Sequence, residues 1–171
     1  MADAKGTAAS LPAGADPQNT LILETAPGLI FIELDTDVAP KHAERLKQLA
    51  REGFYDDVPF HRVIDGFMAQ TGDGQHGNGT GGSSYPDLKS EFSDVPFERG
   101  TVGMARKGGN DHSANSQFFI MFDEGSILNG QYTVIGEVVA GMDVVDKLKR
   151  GEPPSNPDRI IRMQVAADAK S

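Results

Sequence analysis

The chain of 171 residues contains no cysteine, which removes disulfides, thiol nucleophiles and cysteine-ligated zinc from the chemistry open to it. Long apolar runs are also missing, and those present are far too short to cross a bilayer, so no membrane partner is expected. The first 18 residues, MADAKGTAASLPAGADPQ, hold only Met1 and Leu11 as large apolar side chains. A signal peptide needs an apolar core that this stretch does not offer. Positive charge is scarce as well: 16 Lys and Arg stand against 25 Asp and Glu, the net charge is -9, and the basic residues are scattered. Such a surface repels phosphate backbones and argues against nucleic acid. These deficits predict a soluble, cytoplasmic monomer with a flexible tail over residues 1–18 and one domain over 19–171.

What is present from Leu21 onward is a series of short apolar runs with turn signals between them. LILET and LIFIEL, separated by APG, read as a hairpin. In DTDVAPKHAERLKQLAREGFY, Ala39, Ala43, Leu46 and Leu49 recur at helical spacing, with Asp37 as the predicted cap, Pro40 in the first turn and Gly53 at the stop. Further strands are predicted in PFHRVI, FMAQT, GTVGMA, QFFIMF, YTVIGEVV and RIIRMQVA, and a second helix in GMDVVDKLKR. Many short strands with only two helices do not alternate as βαβ units would. The predicted fold is therefore mainly β: a closed, mostly antiparallel barrel with two helices packed on its ends, because closure removes exposed strand edges.

Glycine is abundant in one place, occupying six of the eleven positions from Gly72 to Gly82. Gly72, Gly74 and Gly77, and again Gly77, Gly79 and Gly82, match G-x-G-x-x-G, but SSYPDLKSEF follows where a dinucleotide site needs a helix. A tight irregular loop using positive φ is expected instead. His42, His61, His76 and His112 show no metal-ligand spacing. His61 is read as a core or supporting histidine, since alternation would set it on the face opposite Arg62. Ser113 and Ser116 lie near His112, yet no nucleophile elbow surrounds them, and a hydrolase is not expected.

The stretch FHRVIDGFMAQTGD, residues 60–73, places Arg62 among apolar side chains. A guanidinium there must reach solvent or serve a polar task. Asp65 and Gly66 signal a hairpin turn. A three-residue loop, Asp65 to Phe67, sets Arg62 opposite Gln70 and Ile64 opposite Met68, so that Arg62, Met68 and Gln70 share a face. The site read from this register is an apolar surface carrying one guanidinium held by an amide; spacing alone equally allows a core hairpin whose arginine reaches out to solvent.

Taken in order, FHRVIDGFMAQTGD, GNGTGG, GTVGMAR, SQFFI and LNGQYTVIGEVVAGMDVVDKL resemble the cyclophilin family of peptidyl-prolyl cis-trans isomerases over residues 20–167. The resemblance implies an eight-stranded antiparallel barrel capped by two helices, and no cofactor or covalent intermediate; the histidine spacing predicts no metal. By motif position it implies Arg62 as the catalytic arginine and Gln70 as the amide that steadies it. Phe67, Met68, Phe119 and Leu128 correspond to the pocket for the proline ring. Ala105, Arg106 and Gln117 correspond to the groove for the preceding residues, and Phe60, Ile127 and Tyr132 complete the expected substrate-binding set. The implied partners are proline-containing peptides and unfolded proteins. Family members often carry proline where Asp65 stands, asparagine where Arg106 stands and histidine where Tyr132 stands. Ile127 takes the place of an aromatic residue, tryptophan in many members, so cyclosporin is expected to bind with reduced affinity. Arg106 adds a positive side chain, which predicts a preference for acidic residues before proline. The alternative activity is that of a proline-binding chaperone or scaffold module with little turnover.

Overall fold

Residues 11–169 are described by a computed structural model. The first two apolar runs form β1 (Thr20–Thr25) and β2 (Gly28–Leu34), an antiparallel pair in which Thr25 opposes Gly28 across Ala26 and Pro27. Their unbroken apolar character follows from burial on both faces. Leu21, Leu23, Ile30 and Ile32 point into the main core, while Ile22 and Phe31 form a smaller outer cluster with Ala166, covered by Leu11 and Ala169. Part of the expected flexible tail is therefore docked. Leu11 packs on that cluster, Asp16 caps a short 3-10 helix at Pro17–Asn19, and the Asp16 N–H donates to Glu33 at 2.9 Å. Residues 1–10 lie outside the described part.

Helix α1 (Pro40–Arg51) buries Ala43, Leu46, Leu49 and Ala50 and packs beside the last strand. Its start differs from the expectation, because Asp37 lies too far before the first helical residue to cap it. Asp35 instead accepts from the N–H groups of Asp37 and Val38, at 3.2 and 3.1 Å. The free N–H groups of Lys41 and His42 donate to the Glu91 carboxylate, at 3.3 and 3.0 Å, which satisfies donors that a helix start leaves open. Gly53, at φ 73, ends the helix as predicted.

The remaining strands are β3 (Val58–Pro59), β4 (Arg62–Ile64), β5 (Met68–Thr71), β6 (Thr101–Met104), β7 (Phe118–Met121), β8 (Val134–Ala140), β9 (Arg159–Ile160) and β10 (Arg162–Val165). Eight of them form one antiparallel sheet in the order β10-β1-β2-β8-β6-β7-β5-β4. The expected closure is met only approximately, since the edge strands β10 and β4 do not pair with each other. The seam is spanned by β3 and β9, where Val58 opposes Ile160, by Phe60 N–H donating to Asp158 O at 2.8 Å, and by a two-bond bridge between Val63 and Gly151. The second helix is shorter than its apolar pattern predicts. Only Met142–Val145 (α2) is α-helical; Lys147 and Leu148 donate to residues three back, Val144 and Val145, so the chain tightens into turns.

Candidate functional site

Strand alternation divides the buried side chains between two faces. On β7, Phe118 and Ile120 enter the main core, whereas Phe119 and Met121 join a separate cluster with Met68, Phe97 and Val134 on the other face. Ile64, Phe67, Ala105, Leu128 and Tyr132 pack against this second cluster. Phe97 and Phe119 stack at 5.7 Å and 20°, and Tyr132 meets Phe119 edge-on at 5.7 Å. Gly103 makes room for the two phenylalanines: a Cβ there would stand 2.6 Å from the Phe97 ring and 2.7 Å from the Phe119 ring.

The hairpin of β4 and β5 has the predicted register, with Arg62 opposite Gln70 and Ile64 opposite Met68. Above the apolar cluster lies a cavity of about 470 Å³ lined by His61, Arg62, Phe67, Met68, Gln70, Asn78, Gly79, Ala105, Arg106, Phe119, Leu128 and Tyr132. Polar groups run along its rim in sequence. Arg62 Nη1 donates to Gln70 Oε1 at 3.5 Å, Gln70 Nε2 to Gln117 Oε1 at 2.9 Å, and Gln117 Nε2 to the carbonyls of Gly79 and Gly81, both at 2.9 Å. Gln117 lines an adjoining hollow of about 350 Å³ that also takes in Gln70, Gly79, Ala105 and Arg106. A concave apolar floor with a few convergent polar groups is the usual form of a site for a small or extended ligand.

Two expected residues fall elsewhere. Phe60 is fully buried in the main core and does not line the cavity. Phe60 and His61 interrupt the strand between β3 and β4, so the alternation that would pair Phe60 with Arg62 breaks there. The same break corrects the expected face of His61: the ring is buried, as read, but it lines the cavity together with Arg62. Its Nδ1 is buried without a partner among the described residues. Burial pushes its pKa below the ordinary histidine value, the Asp73 carboxylate opposes this and Arg62 adds to it. Ile127 is 82% exposed, next to Leu128 but outside the cavity lining.

Arg106 lines both hollows, but its side chain, 12% exposed, is already engaged. Its Nε donates to Gln131 O at 3.0 Å, its guanidinium lies over the Tyr132 ring at 4.4 Å, and Asp111 stands 3.7 Å away. These contacts fix the guanidinium at the edge of both hollows.

The glycine loop adopts positive φ at Gly72, Gly77 and Gly79, as expected. Its N–H groups do not form a vacant phosphate cradle. Asp73 Oδ1 accepts from Gln75 and His76, and Oδ2 from Asn78, Gly79 and Gly81, at 2.8 to 3.1 Å. The loop carries its own anion. Ser116 Oγ donates to Gly72 O and Ser113 Oγ to Asn110 O, so neither serine meets a histidine base. Among the described residues no group of three His, Asp or Glu side chains is gathered as metal ligands would be.

Phe97, Asp73 and Glu152, whose carboxylate meets Arg62 Nε at 3.1 Å, are parts of the site that the sequence reading passed over. For Asp73 a signal existed, because a run of glycine N–H groups curling in a tight loop forms a concavity that favours an acceptor.

A family model described as "Cyclophilin type peptidyl-prolyl cis-trans isomerase/CLD" matches residues 20–165. A Brucella suis protein named "Probable peptidyl-prolyl cis-trans isomerase" is 57% identical over 171 residues, covering 91% of this chain and 87% of the relative. A peptidyl-prolyl cis-trans isomerase of Synechococcus elongatus is 38% identical over 150 residues, with 86% and 97% covered. Among solved structures, a cyclophilin from Hirschia baltica superimposes with a TM-score of 0.83 at 29% identity, over 90% of this chain and 76% of the other. A cyclophilin-type isomerase of Cryptosporidium parvum, crystallised in the presence of the dipeptide Ala-Pro, gives 0.78 at 26% identity, over 85% and 98%.

Proposed function

The chain belongs to the cyclophilin-type peptidyl-prolyl cis-trans isomerases, and from that premise we propose that Arg62 drives the rotation electrostatically while the apolar cavity holds the proline ring. X-Pro bonds rotate slowly because amide resonance imposes a barrier of about 18 to 20 kcal/mol. No covalent bond has to break. In the twisted transition state the nitrogen becomes pyramidal and gains a lone pair that the planar amide lacks. A fixed guanidinium aimed at that nitrogen stabilises the twisted state more than the planar one, which is the condition for catalysis.

The observation that carries this reading is the placement of one half-exposed arginine, held by an amide, directly beside an apolar cavity lined by Phe67, Met68, Phe119 and Leu128. The ring would lie on those side chains. The residues before proline would run toward Ala105, Arg106 and Gln117, where the second hollow opens. The relative crystallised with Ala-Pro supports a proline-containing peptide as occupant. An acceleration of about 10⁵ requires roughly 7 kcal/mol in all. A charged hydrogen bond supplies about 2 to 4 of these, and positioning and desolvation supply the remainder.

Arg62→Lys tests the assignment, because lysine keeps the charge and loses the planar fork. NMR exchange of an alanine-proline peptide at substoichiometric protein should be fast for the wild type and about a hundredfold slower for the variant, with peptide binding changed only a few-fold. Peptide shifts without accelerated exchange in the wild type would mean a groove that binds proline without turning it over.

A further inference from the structure

Gln70 alone holds Arg62 weakly. The Nη1 to Oε1 distance of 3.5 Å is at the outer limit for a hydrogen bond, and an arginine stem has several free rotors. The closer partner is Glu152, whose Oε1 accepts from Arg62 Nε at 3.1 Å. This carboxylate is delivered by the backbone. Gly151, immediately before it, exchanges two hydrogen bonds of 2.8 Å with Val63, immediately after Arg62. Two segments 90 positions apart are thus tied together one residue away from the ion pair in each segment.

We propose that Glu152 is a positioning residue for the isomerase reaction: it clamps the Nε edge of Arg62 so that the Nη donors stay over the cavity. The inference rests on the reading of Arg62 as the catalytic arginine. Gln70 completes the clamp from the other side. Its Nε2 donates to Gln117, which leaves its Oε1 facing the guanidinium. Arg62 and Glu152 have side chains 45% and 56% exposed, and an ion pair so open to water contributes little to folding stability. Its effect lies in restricting where the guanidinium points, and misplacing a catalytic group lowers turnover more than it lowers binding. The carboxylate also offsets part of the arginine charge. An amide in its place removes the charge and keeps the acceptor for Nε–H.

The test compares wild type, Glu152→Gln and Glu152→Ala by NMR exchange of an alanine-proline peptide, with the Arg62 Nε–H resonance and the melting temperature of each. Glu152→Ala should lower kcat about tenfold, leave KM within about twofold, and lose a slowly exchanging Nε–H signal that the wild type shows. Glu152→Gln should restore both the rate and the signal to near wild type. All three should melt alike. The inference is overturned if Glu152→Ala keeps or raises the wild-type rate, or if both variants lose activity together with melting temperature, which would mark a merely structural loop. A wild type that accelerates nothing would instead remove the isomerase reading of Arg62 beneath it.

Discussion

Asp73 accepts from the N–H groups of Gln75, His76, Asn78, Gly79 and Gly81, and the carbonyls of Gly79 and Gly81 in turn hold Gln117. Burial by itself would raise its pKa, but the donors from His76, Gly81, Asn78 and Gly79 together hold it at about 2. With the folded value depressed below the ordinary carboxylate range, its contribution to stability is present above about pH 4 and is lost as pH falls toward 2. Asp73→Asn should therefore cost about 3 kcal/mol at pH 7 and lower turnover by releasing Gln117. Urea titrations of both proteins should show the difference shrinking between about pH 4 and pH 2; a constant difference would detach the effect from ionisation. At this scale the sequence disclosed what local pattern can disclose. Arg62 stood out as a charge among apolar neighbours, and loop length set it against Gln70. Glu152 left no trace, because what joins it to Arg62 is a bridge between distant segments.

The start of helix α1 depends on a residue of the segment between β5 and β6. Glu91 accepts from the backbone of Lys41 and His42 and from His42 Nδ1 at 2.5 Å. The His42 ring is fully buried, and its Nε2 has no partner among the described residues. Burial pushes the His42 pKa down against the pull of Glu91, and Arg45 adds to the lowering. A histidine depressed in the folded state contributes stability that is present above its ordinary value of about 6.5 and declines as pH falls below it. The melting temperature should accordingly drop between about pH 7 and pH 5. Glu91→Ala, which strips the helix start of its acceptor, should cost about 1 to 2 kcal/mol at pH 7. Calorimetry would check both; an unchanged melting point in Glu91→Ala would show that the Lys41 and His42 N–H groups do not need the Glu91 carboxylate. The helical period of α1 was legible, but its cap was not, since Glu91 lies 49 residues beyond His42.

Across the whole molecule, β8 joins the two halves of the sheet, pairing with β2 on one side and β6 on the other. Gly136 sits at that junction opposite Leu34 and Val102, and a Cβ on it would lie 2.1 Å from the Glu33 carbonyl oxygen. Gly136→Ala should separate the strands there and destabilise the protein by more than about 3 kcal/mol, seen as lost soluble expression or a melting temperature lowered by about 10 °C or more. A variant as stable as wild type would mean that β2 can yield at no cost. The sequence by itself determined the mainly β class, the hairpins, the body of α1 and the Arg62–Gln70 pairing, because each depends on periodicity or on the length of a short turn. Only the tertiary structure decided the rest. It turned Phe60 inward and His61 toward the cavity at a strand break, tied Arg106 down on Tyr132, filled the glycine loop with Asp73 and brought Glu152 to Arg62. Those outcomes depend on which backbone groups remain unpaired once distant segments meet, and such competition is settled by packing and hydrogen bonding over the whole chain.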